Sequence, residues 1–234
     1  MFLNYKKLLA YTVMCPTCPG YEPIAEAVAN YFHGVKPIVD QVVVYIMKEW
    51  NTALKDLVKE NDVEVAKSTI GFYDPSKHRI GLTPEILITD QVSFIHEVVH
   101  GVLSPEWNTK EFHVFEEVLT DMVAQEINDT LGLTTTPHPG GYEKFNYGLS
   151  NYLDVIHMNL QDFANEYATS VHEKQQSDWL RAFTIERFIQ LNPQVDNIKN
   201  AMDENFIEQY LPEWVEIFDM LNIPIEDIQE VLNG

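Results

Sequence analysis

The chain has 234 residues, 45% of them hydrophobic and 12% aromatic, which suffices for one sizeable core or a core with an appended lobe. Its 36 acidic residues outnumber 15 basic ones, and the net charge of −21 argues against nucleic acid and membranes as partners because their phosphates would be repelled. The charge favours a cationic peptide or a metal ion as partner, or it serves only to keep the protein soluble.

The chain starts like a secretion signal, since Lys6 and Lys7 precede an apolar run. That run, LLAYTVM, is at the short limit for a signal, and no small-residue cleavage site follows it. No apolar run approaches the roughly 20 residues that a membrane helix needs. We therefore expect an intracellular, cytoplasmic protein.

The two cysteines, Cys15 and Cys18, form the motif CPTC between an apolar run and a helix-like one. This arrangement is typical of the active-site turn of thioredoxins and glutaredoxins. A zinc site would need two more soft ligands, and the chain has no other cysteine. A buried thiol pair, an incidental disulfide and a thiol oxidoreductase remain open as interpretations.

The next elements are a predicted helix over residues 22–33 and a helical period over residues 37–60. Within the second segment, VVVYIM is β-branched enough to form a strand instead. The stretch STIGFYDPSKHRIGL then predicts two short strands around a turn at Pro75. Helical structure is expected to restart at Thr83-Pro84.

Two helices and a loop follow. Asp90 is suited to cap a helix that carries SFIHEVVHGVL, and a second helix is predicted over about residues 110–128. The segment TTTPHPGGYE at 134–143 is rich in turn residues and predicts a loop.

Residues 145–234 are predicted to be almost wholly helical, and they contain 16 acidic residues against four basic ones. The expected helix breaks are near Thr169, Pro193, Pro212 and Pro224. The predicted fold class is α+β, mostly helical with a small sheet. We expect one compact unit with a core over 1–135 and an acidic helical lobe over 136–234, which could bind a protein partner.

The motif HEVVH is the strongest chemical signal in the sequence. On a helix, His96 and His100 lie one turn apart, so that both imidazoles can reach one zinc ion. Glu97 is rotated about 100° from His96 and about 60° from His100, which places its carboxylate beside the metal. A pair of structural histidines on an amphipathic helix is the alternative.

A third ligand is expected on the following helix. The pattern HExxHxxGxxH fails, because Leu103 and Glu106 occupy its glycine and histidine positions. In FEEVLTD, Glu117 and Asp121 lie on one flank of the apolar stripe, and Glu116 lies on the opposite flank. Glu117 could therefore bind the metal.

Asp121, one turn beyond Glu117, could accept a proton from the far nitrogen of a ligand histidine and so fix the tautomer of its ring. Two surface carboxylates on a solvated face are the alternative for this pair. His113 is a weaker candidate ligand.

HEVVH followed by E-x-x-x-D on a second helix resembles the gluzincin metallopeptidases. The resemblance implies a zincin-like fold, zinc bound by His96, His100 and Glu117, Glu97 as the general base, and Asp121 orienting His96. It also implies that the strand at 79–82 lines the cleft and pairs with an extended substrate.

The segment HPGGYEKFNYG is similar to the glycine–tyrosine loop of the thimet-type oligopeptidases, which are themselves gluzincins. This second likeness implies that His138 and Tyr142 bind substrate and stabilise the oxyanion, with Tyr147 as a shifted substitute for a later tyrosine. A glycine-hinged turn with ordinary tyrosine packing is the alternative.

The expected function is a zinc metallopeptidase that acts on a peptide or protein substrate. A non-catalytic or regulatory zincin, in which the metal stabilises a binding module, is the main alternative.

Overall fold

The computed structural model describes residues 21–45, 47–61, 70–84, 86, 91–104, 113–133, 143–172, 176–193 and several positions between 214 and 227. Its contacts divide the chain into two compact units, residues 1–140 and 141–234. The CPTC motif and the expected domain boundary after residue 135 lie outside the described residues. The described part is mostly helical with one three-stranded sheet, so the predicted α+β class is confirmed.

The sheet of the first unit has the strand order β1-β3-β2, with β1 at Gln41–Val44, β2 at Gly71–Asp74 and β3 at Arg79–Leu82. Strand β1 runs parallel to β3, and β2 runs antiparallel to it. Strand β3 is therefore central, and both of its edges are hydrogen-bonded to neighbours. The expectation that residues 79–82 pair with a substrate is wrong, because this strand has no free edge.

The predicted hairpin of β2 and β3 is confirmed, and Asp74 stabilises its turn. The Asp74 carboxylate is fully buried and accepts hydrogen bonds from Arg79 Nη2 at 2.8 Å and from Ser76 Oγ at 2.6 Å. A buried carboxylate of this kind needs such donors to offset its lost hydration.

The segment VVVYIM, for which helix and strand were both possible, contributes to strand β1 at Gln41–Val44. Val42 and Val43 of this strand are buried. Helix α2 then spans Met47–Asn61. Its Trp50, Ala53 and Leu57 pack with Phe72 of β2 in a buried apolar cluster. The ring of Phe72 lies over Gly81, where an added Cβ atom would come within 2.3 Å of it.

Three further helices complete the first unit: α1 at Tyr21–Tyr31, α3 at Gln91–Leu103 and α4 at His113–Leu131. Helix α3 packs against α1, α4, β2 and β3, so nearly all of its surface is covered. Its valines and other apolar residues are buried. This burial fixes the orientation of the helix that carries HEVVH.

Gly101 allows the segment before β1 to approach α3 closely. An added Cβ atom at Gly101 would lie 3.1 Å from Val39 and 3.2 Å from Pro37 and from the Ile38 backbone nitrogen. The Gly101 carbonyl accepts a hydrogen bond from the Ile38 N–H at 2.8 Å. This hydrogen bond connects the C-terminal end of α3 to the segment that leads into β1.

The second unit contains α5 at Glu143–Val155, α6 at Leu160–His172 and α7 at Gln176–Leu191. Phe163 is fully buried and its ring contacts those of Tyr152, Trp179 and Phe183. The prediction that this region is helical is confirmed for its described residues. None of the helices that the structure describes has the length and apolarity to cross a membrane.

The helix breaks of this unit differ in part from prediction. Thr169 lies in the last turn of α6, which ends three residues later at His172, and its hydroxyl donates a hydrogen bond to the Asn165 carbonyl at 3.0 Å. A further break, which was not predicted, lies near His157, which has a φ of 55°, and Asn159 caps α6 by accepting a hydrogen bond from the Asp162 N–H at 2.8 Å. The predicted break near Pro193 is confirmed, since α7 ends at Leu191.

Candidate metal centre

Helix α3 places its two motif histidines side by side. The rings of His96 and His100 are 4.7 Å apart and meet edge to face, and their Nε2 atoms are 3.0 Å apart. All residues of α3 except His96 and Gln91 are buried. The edge of the helix that carries His96 is therefore its partly exposed edge.

Glu117 of α4 completes the cluster. Its Oε2 atom lies 3.2 Å from His96 Nε2, and its Oε1 atom lies 3.5 Å from His100 Nε2. In a tetrahedral zinc site with bonds of about 2.0–2.1 Å, ligand atoms are roughly 3.3 Å apart. These three residues could therefore hold a metal ion, since each imidazole Nε2 lies near one Glu117 oxygen and their ligand atoms all lie within 4.8 Å of one another.

The electrostatics of the cluster also suit a cation. Burial lowers the pKa of His96, but the hydrogen bond and charge of Glu117, together with Glu97 and Asp121, raise it to about 9. Burial opposes ionisation of Glu117, yet His100 and His96 hold its pKa well below the usual range. Glu117 is thus ionised, and a positive charge is favoured beside it.

Glu97 lies beside the histidines but points toward β2. It is 8% exposed, and its carboxylate accepts a hydrogen bond from the Tyr73 backbone N–H. An added Cβ atom at Gly71 would come within 2.9 Å of Glu97 Oε1, so only glycine leaves this carboxylate its present place. Burial, with a contribution from Glu117, raises the pKa of Glu97 to about 8, although His96 and the Tyr73 N–H act in the opposite direction.

Asp121 lies behind His96, on the side that the sequence predicts. Its Oδ1 atom is 3.9 Å from His96 Nδ1, which is longer than a hydrogen bond, and His96 Nδ1 is buried without a hydrogen-bond partner. The other oxygen, Oδ2, accepts a hydrogen bond from Gln125 at 2.8 Å.

Two residues that the sequence analysis did not select lie behind His100. Ser104 Oγ is 3.3 Å from His100 Nδ1 and donates a hydrogen bond to Glu116 Oε2 at 3.4 Å. The contact between His100 and Ser104 could have been predicted from the sequence, because residues four positions apart lie on one face of a helix. The contact with Glu116 had no local signal, because it joins two helices.

The remaining predicted site residues are not brought to this cluster by the described contacts. Tyr147 lies on α5 in the second unit and is 76% exposed. His138 and Tyr142 lie outside the described residues, as does the side chain of His113, the first residue of α4. Their predicted roles stay predictions.

Comparison with known proteins found no family model, no curated protein and no solved structure that matches the chain. The site itself consists of the imidazoles of His96 and His100 and the carboxylate of Glu117, which converge, with the buried carboxylate of Glu97 beside them.

Proposed function

We propose that the protein is a zinc-dependent peptidase with a zincin-like catalytic unit. The observation that carries the proposal is the convergence of His96, His100 and Glu117, whose candidate ligand atoms all lie within 4.8 Å of one another. The packing of the HExxH helix against a small sheet supports the same proposal. Two histidines and a glutamate leave a fourth position for a water molecule or a substrate oxygen.

Zinc, when bound, would lower the pKa of a water molecule toward neutrality and polarise the substrate carbonyl. Glu97 is the general base that takes the proton from the attacking water and delivers it to the leaving amine. Its buried carboxylate has a pKa of about 8 in the metal-free protein, so it is a stronger base than an exposed glutamate. A nearby divalent cation would favour its ionised, proton-accepting form.

The Tyr73 N–H and Gly71 determine where this base lies. The hydrogen bond from β2 restrains the carboxylate, and the missing side chain at Gly71 gives it room. Restraint of a catalytic group in this way lowers the entropy that must be lost in the transition state. In this proposal His138, Tyr142 and Tyr147 remain the candidates for stabilising the oxyanion.

The decisive experiment is the Glu97→Gln variant, assayed for zinc content and for hydrolysis of a broad peptide library. We expect it to bind zinc as the parent does, because Glu97 is not a ligand, and to lose hydrolysis, because an amide cannot accept the proton. Full activity in this variant would exclude the mechanism. Zinc without hydrolysis in the parent would favour the non-catalytic zincin instead.

The matched control is Glu117→Ala. It removes a ligand atom and leaves Glu97 in place, so it should lose tight zinc binding and hydrolysis together. If this variant retained the zinc affinity of the parent, the ligand assignment on α4 would be wrong.

A further inference from the structure

We infer that Ser104 and Glu116 form a relay that positions His100, a role additional to the ligands and base of the proposed function, on which this inference rests. Ser104 Oγ lies between the two partners, 3.3 Å from His100 Nδ1 and 3.4 Å from Glu116 Oε2. Neither residue touches the place where the zinc would be held. Both act through the imidazole, and they are positioning residues.

The direction of the hydrogen bonds follows from the chemistry of the three groups. The single hydroxyl proton of Ser104 goes to Glu116 Oε2, which accepts it. The lone pairs of Oγ are then free to accept, and the matching donor is the Nδ1–H of His100. The relay therefore selects the tautomer that carries its proton on Nδ1 and leaves the Nε2 lone pair facing His96 and Glu117.

The backbone keeps the relay in place. Ser104 is the first residue after α3, and its N–H bonds to the His100 carbonyl at 2.8 Å, which continues the helical pattern by one residue. Glu116 is 5% exposed, so its carboxylate has little access to solvent. A buried carboxylate with a hydroxyl in reach strengthens that hydroxyl as an acceptor toward the imidazole.

Helix α4 places a carboxylate behind each of the two histidines, and the relay connects His100 to its carboxylate by hydrogen bonds, whereas Asp121 lies 3.9 Å from His96 without one. His96 has Asp121 behind its Nδ1 atom, and His100 has Glu116 behind its Nδ1 atom, with one hydroxyl between. Carboxylates in this position raise the basicity of a ligand imidazole and fix its ring plane. Glu116 and Glu117, adjacent in sequence, thus have different tasks on opposite flanks of α4.

The test uses Ser104→Ala, Glu116→Gln and the double variant, each titrated with zinc against a competing chelator. Loss of such supporting groups costs about 10–100-fold in metal affinity, and we expect each single variant to lose that much. The double variant should lose little more than either single one, because both changes break the same relay. Ser104→Thr, which keeps the hydroxyl, should recover most of the affinity.

A second measurement reads the tautomer directly. In the metal-free protein, the neutral His100 ring should show its proton on Nδ1 by nitrogen-15 NMR, and Ser104→Ala should shift the ring toward the Nε2–H form. Asp129→Asn is the matched control, because it removes an exposed carboxylate from the same helix and should change neither affinity nor tautomer.

The outcomes separate this inference from the proposed function. Zinc affinity and a His100 tautomer unchanged in both single variants would overturn the relay, whether or not the parent hydrolyses peptides. A parent that binds no zinc would overturn the proposed function, whereas a Ser104-dependent Nδ1–H tautomer would still establish the relay.

Discussion

The hydrogen bond and charge of Glu117 raise the pKa of His96 to about 9, which favours the protonated ring near neutral pH, and a zinc ion bound as proposed would compete with that proton. The protonated ring pairs with Glu117, so a positive charge already occupies the region where the metal would be held. At the scale of single residues, the site is therefore a place where protons and metal ions compete.

This competition predicts opposite pH responses for the two forms of the protein. The folded-state pKa of His96 is raised from 6.5 to about 9, and that of Glu97 from 4.5 to about 8. A raised pKa contributes stability that is complete below the unfolded value and is lost as pH rises through the folded value. The Tm of the metal-free protein should therefore fall as the pH rises, between about pH 4.5 and about pH 8 through Glu97 and between about pH 6.5 and about pH 9 through His96.

Zinc should bind more tightly over the same interval, with release of protons, because the ligand histidines must be neutral. Calorimetric titration in buffers of different ionisation enthalpy measures that release. His96→Asn should show a shallower decline in the Tm of the metal-free form. A Tm that rose with pH in the chelator-treated parent would contradict the assigned directions.

Much of the cluster could be predicted from sequence, because its parts are tied to helical spacing. His96, His100, Glu117 and Asp121 lie where a period of 3.6 residues places them. The pairing of Glu97 with the Tyr73 N–H could not be predicted, because it depends on which strand packs beside α3. The relay through Ser104 depends in the same way on the packing of two helices.

At the scale of elements, the contact between β2 and α3 determines the position of the proposed base. Gly71→Ala would place a Cβ atom 2.9 Å from Glu97 Oε1 and 3.0 Å from Ile86 Cδ1. Both atoms are the ends of flexible side chains, so the fold should survive while the carboxylate moves. We expect normal zinc binding and a fall in hydrolysis of about 100-fold, as a displacement near 1 Å can cause.

The control for this change is Gly71→Ala in a Glu97→Ala background, where the shorter side chain leaves room for the added methyl group. The Tm of this double variant should then differ from that of Glu97→Ala alone only through the remaining contact with Ile86 Cδ1. If Gly71→Ala hydrolysed peptides at the parent rate, the carboxylate would not need its present position.

The other contact between elements that can be tested lies on the opposite side of β2. Gly81→Ala would place a Cβ atom 2.3 Å from the ring of Phe72, which is held by Trp50 and Leu57. Overpacking of this kind costs about 1–3 kcal/mol of the free energy of unfolding. Urea denaturation measures the loss, and the cost should largely disappear in a Phe72→Ala background.

The sheet shows where prediction from local pattern ends. The hairpin of β2 and β3 was predictable, because the segment between Asp74 and Arg79 contains a proline turn between short apolar runs. The strand at Gln41–Val44 was ambiguous, since a β-branched run suits both interpretations until a partner is known. That partner, β3, lies 38 residues further along the chain, and no local signal indicates it.

At the scale of the whole molecule, the net charge of −21 should influence which substrates reach the site. Clefts in a strongly acidic protein attract cations over distances of about 10 Å at moderate salt. We expect kcat/KM for a peptide rich in lysine to fall by about tenfold or more as salt rises from low to physiological concentration.

An uncharged peptide of the same length is the control, and its kcat/KM should stay nearly constant over the same series. Equal salt responses of the two peptides would show that the acidic residues act on solubility alone. The comparison of the two peptides uses the parent protein, so the net charge is the same in both measurements.

Gly101 has a consequence for recognising other proteins built in this way. A side chain there would press on the segment at Pro37–Val39, and Ser104 follows three positions later with its relay to Glu116. A sequence pattern that encodes these constraints reads H-E-x-x-H-G-x-x-S, then eleven residues, then E-E-x-x-x-D. The glycine and the serine make that pattern more selective than the five-residue zinc motif, and distant chains that keep both would be expected to share the packing of these two helices.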